Sequence, residues 1–273
     1  MAHQLRLVSR SPHLNVMCNA AFKAARDLVR DFGEVEHLQV SRKGPGDFVS
    51  TADKKAEDTL YKELKKARPS YGFLMEESGK KEGDEHTWII DPLDGTTNFL
   101  HGIPHFAISI GLQKGDELIA GVVYDPIKDE MFYAEKGGGA FLNDRRLRVS
   151  GRHHLSEALF ATGIPFALHD AKTKVEFQRS MESVMPLVAG VRRFGAASLD
   201  LAYVAAGRFD GYWERPLKSW DMAAGIVLVR EAGGYTCDLQ GGDDILGTES
   251  VLAANQALYQ PLKDLVLPVY NLG

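Results

Sequence analysis

An apolar run near the middle of the chain ends abruptly in a group of oxygen donors. Trp88–Ile90 is followed by Asp91, Pro92, Leu93 and Asp94, and then by a glycine and two threonines. Carboxylates and backbone carbonyls are the hard oxygen ligands that magnesium and manganese prefer. An ordinary Asx-type turn is the commoner meaning of an isolated Asp-x-x-Asp. The Asp-x-x-Asp spacing alone therefore favours an ordinary turn, and only the longer pattern favours a metal site.

The elements expected around this turn favour a ligand site. Trp88–Ile90 shows no polar alternation, which is typical of a strand covered on both faces, and Pro92 is expected to end that strand because it lacks an N–H. The turn would then lie at the carboxyl end of a strand, where open α/β sheets usually bind ligands. Gly95 permits close backbone approach, and Thr96 can cap a helix whose free amides attract phosphate. We therefore predict a combined metal and phosphate site.

Two longer motifs carry a family resemblance. Asp-Pro-Leu-Asp-Gly-Thr-Thr-Asn at 91–98 resembles a signature of the inositol-monophosphatase family of metal-dependent phosphatases. Trp-Asp-Met-Ala-Ala-Gly at 220–225, followed by a Gly-Gly pair at 233–234, resembles the second signature in order and in position. The resemblance extends over nearly the whole chain, and two separate motifs argue against coincidence.

The resemblance implies a set of metal ligands. They are Glu76, Asp91, the Leu93 carbonyl, Asp94 and Asp221. All are oxygen donors, which favours Mg²⁺, with roughly two or three ions per subunit and Mn²⁺ as a substitute. Without the resemblance, Glu76 would pass as one of a solvated glutamate pair, and Asp221 as a carboxylate that stabilises the start of its helix.

The resemblance also implies catalytic residues. Glu76 and Thr96 are expected to act on the attacking water, with Thr96 hydrogen-bonded to Asp53. Asp53 opens a predicted helix, so dipole stabilisation is the alternative explanation for it. Lys43, in a glycine-rich crossing, resembles a family lysine that approaches the site from a loop, although an ordinary loop lysine would look the same.

The implied substrate contacts come from several segments. They are Asp94, Gly95, Thr96, Gly195, Ala197, Glu214 and Asp221. Glu214 resembles the family's hydroxyl-binding carboxylate; otherwise it would be read as a surface charge at a strand end. The implied substrate is myo-inositol 1-phosphate, with fructose bisphosphate, histidinol phosphate and phosphoadenosine phosphate as alternatives. Sensitivity to lithium is implied by the resemblance alone.

Composition sets the outer limits of these hypotheses. The 273 residues carry a formal charge of −5 and are 44% hydrophobic, which fits a globular protein and disfavours a general polyanion binder. Apolar segments are interrupted by charge before membrane-spanning length, and the amino terminus lacks a secretory apolar run, so we expect a cytoplasmic protein without a membrane partner. Cys18 and Cys237 are too few for a disulfide framework.

The order of elements predicts two packed halves. Residues 1–155 contain two amphipathic helices and an antiparallel meander, and form an α+β half with most of the metal ligands. Residues 156–273 alternate strand and helix, and form an α/β half with Asp221 and the substrate contacts. We expect one compact unit because no linker separates them. The resemblance implies a layered αβαβα sandwich and a homodimer.

A basic cluster keeps a second class of function open. Arginines and histidines at 145–154 surround the turn Asn143-Asp144. A solvated hairpin is the simpler explanation, because no aromatic platform is interleaved and the total charge is negative, which makes direct nucleic-acid binding unfavourable. The SuhB-type branch of the family nevertheless implies a possible regulatory binding role in RNA synthesis or processing.

Overall fold

Two amphipathic helices open the described part of the chain. The computed structural model describes residues 10–34, 40–44, 47–165 and 170–270, with backbone only at 40–44 and 47–50. Helix α1 spans Pro12–Phe32, and the Ser11 hydroxyl caps it by accepting the Leu14 N–H at 3.1 Å. A hairpin of β1 (Val40–Gly44) and β2 (Asp47–Ser50) leads into α2 (Thr51–Ala67). Both helices turn apolar residues toward the first sheet.

The larger sheet has eight strands. Its spatial order is β10-β9-β8-β7-β6-β5-β3-β4, and only β3 and β5 run parallel. The strands are β3 (Gly72–Met75), β4 (Gly79–Lys81), β5 (His86–Asp94), β6 (Ala107–Lys114), β7 (Glu117–Asp125), β8 (Glu130–Glu135), β9 (Gly139–Leu142) and β10 (Arg145–Arg146). The antiparallel meander predicted after the central motif is therefore confirmed.

Strand β5 departs from the prediction at its end. Its residues from Trp88 onward are buried, as expected for a strand covered on both faces. The prediction that Pro92 ends the strand is wrong, because pairing with β6 resumes at Asp94. Asp91 faces Ser109 and Asp94 faces Ala107, so the two strands shift register here. This irregularity accommodates the missing proline N–H and puts both aspartates at one bend of the strand.

The second part of the chain builds a five-stranded sheet of order β12-β11-β13-β15-β14. Its strands are β11 (Leu159–Thr162), β12 (Gly190–Arg192), β13 (Gly211–Glu214), β14 (Tyr235–Cys237) and β15 (Val251–Ala254). The remaining helices are α3 (Thr96–Leu100), α4 (Ala171–Val184), α5 (Ala197–Ala205), α6 (Ser219–Glu231) and α7 (Tyr259–Tyr270). None of the described helices is long and apolar enough to cross a membrane.

These elements stack in five layers. Helices α1 and α2 cover one face of the larger sheet, and α5 with α6 cover the other. The smaller sheet packs on the far side of α5 and α6, and α4 with α7 complete the sandwich. The predicted αβαβα fold is confirmed. Both cysteines are free and buried. The division into halves near residue 155 stays a prediction.

Helix α6 lies unusually close to the larger sheet. A Cβ on Gly121 of β7 would lie 2.5 Å from the Ala224 carbonyl oxygen, and one on Gly111 of β6 would lie 2.7 Å from the Ala223 Cβ. Side chains at these two strand positions would separate helix and sheet. The two glycines therefore fix the depth of α6, whose first turn carries Asp221.

Candidate active site

A cleft of about 200 Å³ forms where β5, α3, α5, β13 and α6 meet. The predicted metal ligands and substrate contacts all line it: Glu76, Asp91, Leu93, Asp94, Gly95, Thr96, Gly195, Ala197, Glu214 and Asp221. A larger groove of about 850 Å³ lies beside α1 and α2, but its lining is mainly apolar and contains none of these residues. Convergent ionisable groups make the smaller cleft the better candidate for chemistry.

Asp91 is the most enclosed carboxylate of the cleft. It is 3% exposed, and its Oδ1 accepts the Leu93 N–H at 2.8 Å across the bend of β5. Burial raises its pKa well above the ordinary value, and the negative charges of Glu76, Asp94 and Asp221 raise it further. Four carboxylates from distant parts of the sequence are thus close enough to repel one another.

Asp94 lies against the amino-terminal end of α5. Its Oδ2 accepts the Ser198 N–H at 2.8 Å and the Ser198 hydroxyl at 2.5 Å. Burial raises its pKa, while Ser198 and the amides of Ala197 and Leu199 lower it. The free amides of this helix turn therefore stabilise a carboxylate that the chain brings from β5.

Asp221 occupies the first turn of α6. Its Oδ2 accepts the Lys218 N–H at 2.6 Å, so Asp221 caps the helix. Stabilisation of the helix start was the alternative explanation for this residue. Burial raises its pKa well above the usual range, with Asp94 as the next cause. The Asp221 carboxylate therefore both caps α6 and interacts with the other carboxylates of the cleft.

Thr96 connects the cleft to Asp53. Its Oγ1 lies 3.2 Å from Asp53 Oδ1 and 3.0 Å from the Leu93 carbonyl oxygen, and its single proton can serve one of them at a time. Asp53 is fully buried in the first turn of α2. Lys43 belongs to β1, but its side chain lies outside the described residues.

Gly95 makes the turn before α3 possible. Its φ of 94° is left-handed, and a Cβ there would lie 3.1 Å from the His105 carbonyl oxygen. Gly95 is also the N-cap residue of α3, and no side-chain cap bond is present. The prediction that a threonine caps this helix is therefore wrong, because Gly95 takes the N-cap position and Thr96 is already the first residue of α3.

Glu214 ends β13 at the opposite wall of the cleft. It accepts a hydrogen bond from the Tyr212 hydroxyl. Burial raises its pKa to about 7, with the Tyr212 hydrogen bond acting in the opposite direction and the charge of Asp94 adding to the rise. A half-buried carboxylate beside the acidic cluster can accept hydrogen bonds from a hydroxylated ligand.

Several residues of the site were not predicted from the sequence. They include Ser198, Tyr212, Arg193 and Arg215, together with Asn98, whose Nδ2 donates to the carbonyls of His105 and Phe194 at 2.8 Å. Ser198 could have been found, since a hydroxyl in a helix's first turn after a small-residue run is a usual anion contact. The other four depend on contacts between distant segments.

The carboxylates of the cleft are directed partly toward protein N–H groups. Across 10–34, 51–165 and 170–270, no group of three or more Asp, Glu, His or Cys side chains is arranged to hold a metal ion. The hydrogen bonds described above turn one oxygen of Asp91, Asp94 and Asp221 toward protein N–H groups.

Fold and cleft together define a class, the layered αβαβα proteins with an acidic site between two sheets. Within it, the chain belongs to the Inositol monophosphatase family, whose sequence profile matches residues 9–267. The chain is 56% identical to the "Inositol-1-monophosphatase" of Mesorhizobium japonicum over 93% of this chain and 96% of that protein. It is 43% identical to the "Nus factor SuhB" of Pseudomonas aeruginosa over 94% and 96%.

A solved structure agrees with both comparisons. The extragenic suppressor protein suhB of Bartonella henselae superposes with a TM-score of 0.91 at 54% identity. The match covers 94% of this chain and 98% of that one. The family resemblance of the two sequence motifs is thereby confirmed over nearly the full length.

Proposed function

We propose that this protein is a magnesium-dependent phosphate monoester hydrolase that converts myo-inositol 1-phosphate and water to myo-inositol and phosphate. The observation that carries the proposal is the convergence of Glu76, Asp91, Asp94 and Asp221 on one cleft beside backbone amides. Relatives at 55 to 57% identity bear the name inositol-1-monophosphatase, which supports the same reaction.

The donor set fits hard divalent cations. Glu76, Asp91, Asp94, Asp221 and the Leu93 carbonyl would hold roughly two or three Mg²⁺ ions, with Mn²⁺ as a substitute, because all are oxygen ligands. The raised pKa of Asp91 has like-charge repulsion among its causes, and cations would relieve it. When bound, such ions supply charge neutralisation at the phosphate and activation of water.

The protein's own groups would orient the reactants. Thr96, held by Asp53, would direct the attacking water, and Glu76 would accept from it. Amides near Gly95 and Thr96 would bind the phosphate, and the backbone and small side chains at Gly195 and Ala197 would contact the ring or phosphate. In the same step, Glu214 would accept a hydrogen bond from a ring hydroxyl. As the P–O bond to the water oxygen forms, the ester P–O bond on the opposite side breaks, as an in-line displacement requires, and the leaving inositol oxygen takes up a proton from solvent.

Phosphate release from a substrate panel tests the proposal. The panel comprises myo-inositol 1-phosphate, fructose 1,6-bisphosphate, histidinol phosphate and 3′-phosphoadenosine 5′-phosphate, each with Mg²⁺ or with chelator. We expect the highest kcat/KM for the inositol ester and loss of release in chelator. Equal release with and without Mg²⁺ would contradict the metal assignment, and a higher kcat/KM for another ester would replace the substrate.

A regulatory role in RNA synthesis or processing is the second candidate. Relatives at 38 to 43% identity are named Nus factor SuhB, and the side chains of Arg145, Arg146, Arg148, Arg152, His153 and His154 are exposed. Asp91→Asn would separate the two functions. If the variant loses phosphatase activity but restores growth and RNA-polymerase capture in a deletion strain, binding is the main role. Loss of both would favour catalysis.

Four further expectations remain proposals. We propose a homodimer, testable by analytical ultracentrifugation, and a cytoplasmic location, testable by fractionation. Inhibition by lithium would be measured in the same phosphate-release assay. The two halves, 1–155 and 156–273, would unfold together in a single transition if they form one compact unit.

A further inference from the structure

The carboxyl group of Glu214 lies directly against the backbone of Gly163. Gly163 follows the end of β11, Glu214 ends β13, and these two strands pair in parallel up to Thr162 and Trp213. A Cβ built on Gly163 would overlap the carboxyl carbon and both carboxyl oxygens of Glu214. Both residues line the cleft. The carboxyl group therefore fills the space that the missing side chain of Gly163 leaves.

The hydroxyl of Tyr212 holds the same carboxyl group. Tyr212 is fully buried on β13, and its hydroxyl donates a hydrogen bond to Glu214 Oε2. Residues two positions apart on a strand lie on the same face, so β13 itself brings this donor to Glu214. The carboxyl group is thus held by two contacts, one from each of two neighbouring strands.

These two contacts oppose repulsion from neighbouring carboxylates. Burial raises the pKa of Glu214, and the charge of Asp94 adds to the rise. Burial likewise raises the pKa of Asp200, with the charge of Glu214 as the next cause, while the charge of Arg193 acts in the opposite direction on both groups. Glutamate has a long side chain with much rotamer freedom, so repulsion would move an unsupported carboxylate toward solvent.

We propose that Gly163 and Tyr212 are positioning residues that act through Glu214 and determine the selectivity for a hydroxylated ring over a plain hydrocarbon ring. The inference rests on the proposed function, in which Glu214 accepts a hydrogen bond from a ring hydroxyl. Hydrogen bonds weaken steeply when the acceptor moves out of line. A displaced Glu214 carboxylate therefore binds the polyol ring less well, while the phosphate contacts stay as they are.

A matched pair of ligands tests the inference. Myo-inositol 1-phosphate and cyclohexyl phosphate are both phosphate monoesters of a six-membered ring, and only the first has ring hydroxyls. The selectivity ratio is the Ki of cyclohexyl phosphate as a competitor, measured whether or not it is cleaved, divided by the KM of the inositol ester. Gly163→Ala, Tyr212→Phe and Glu214→Ala are compared with wild type, and the first two also in the Glu214→Ala background. Gly151→Ala and Tyr235→Phe are the controls, because a Cβ on Gly151 would meet no atom within 4 Å and Tyr235 is 47% exposed.

We expect Gly163→Ala to lower the selectivity ratio about tenfold by raising the KM of the inositol ester, as for the loss of a hydrogen bond to a charged group. The Ki of cyclohexyl phosphate should change less than about twofold, because it has no hydroxyl for Glu214. Tyr212→Phe should lower the ratio roughly threefold, since it removes one neutral donor and keeps the ring. In the Glu214→Ala background neither substitution should lower the ratio further, because no carboxylate is left to position. Both controls should keep the wild-type ratio.

Other results would overturn the inference. If Glu214→Ala lowers the ratio but Gly163→Ala and Tyr212→Phe keep it, Glu214 binds the ring without these residues. A further loss in the Glu214→Ala background also refutes the inference, because the two residues then act through the fold. If Gly163→Ala does not fold, as its melting curve would show, Tyr212→Phe decides by the same criteria. An unchanged ratio in Glu214→Ala refutes the inference while phosphate release continues, whereas no release from the inositol ester by wild type refutes the proposed function itself.

Discussion

Replacing Gly121 with alanine should displace the helix that carries Asp221. The new Cβ would lie 2.5 Å from the Ala224 carbonyl oxygen and 2.8 Å from the Ala224 Cα, both backbone atoms of α6. A carbon and a carbonyl oxygen normally stay about 3.3 Å apart, so helix and strand must separate by roughly 0.8 Å. Ala224 lies one turn after Asp221, so the shift should reach the site.

Two magnitudes follow from that displacement. Overpacking of this kind destabilises a core by about 1–3 kcal/mol, measurable by urea unfolding. Misplacing a group of the site by close to 1 Å can lower the rate by about 100-fold, measurable as Mg²⁺-dependent phosphate release. Gly151→Ala is the matched control, because a Cβ there would meet no atom within 4 Å.

The result that would refute this reasoning is specific. If Gly121→Ala unfolds at the same urea concentration as wild type and keeps its kcat/KM, close packing of α6 on β7 does not position Asp221. A variant that loses stability but keeps activity would show that the helix moves without disturbing the site. Both outcomes are distinguishable from a general folding failure by the Gly151→Ala control.

Three more perturbations probe the site and its surroundings. Ser198→Ala removes the 2.5 Å hydrogen bond from the Ser198 hydroxyl to Asp94. Loss of a hydrogen bond to a charged group should lower kcat/KM roughly tenfold. The control Ser183→Ala, on the exposed face of α4, should leave kcat/KM unchanged. Mg²⁺ at about 100 times its Kd should stabilise the folded state by about 2.7 kcal/mol and raise the melting temperature; no shift would count against the site. Burial lowers the pKa of His105 from 6.5 to about 4, with the charge of Lys128 acting in the same direction. The folded state therefore binds this proton less readily than the unfolded state, so the stability that neutral His105 contributes above pH 6.5 is lost as pH falls toward 4. His105→Gln should reduce the loss of unfolding free energy between pH 6.5 and 4 by an amount on the order of 2 kcal/mol, measured by urea unfolding at a series of pH values. An equal loss in wild type and variant would refute this prediction.

The strongest sequence predictions came from local patterns. The opening helix, Pro12–Phe32 in the structure, follows from the spacing of its apolar residues, and the meander follows from short strands separated by turns. The prediction that Asp91 and Asp221 share a site came from the two family motifs. Hydrophobic periodicity alone contains no information on the distance between such remote residues. The structure places these two residues at one cleft.

What the sequence could not provide depends on contacts between remote segments. The strand was expected to end at Pro92 because a ladder needs its N–H, but the irregular pairing with β6 absorbs the missing donor. Ser198 contacts Asp94 across 104 positions of sequence, and Glu176 meets Arg215 only after α4 packs beside β13. Such pairs involve no local propensity, so they become visible only in the folded chain.

Divalent-cation binding by Asp221→Asn tests the central claim most directly. Asparagine keeps the shape and can still accept the Lys218 N–H, so α6 should remain capped while one anionic ligand is lost. Mn²⁺ titration followed by electron paramagnetic resonance would compare wild type, this variant and Asp116→Asn, an exposed turn residue. We expect at least tenfold weaker Mn²⁺ binding and loss of phosphate release in Asp221→Asn alone. Equal Mn²⁺ binding by wild type and a folded Asp221→Asn would contradict the account.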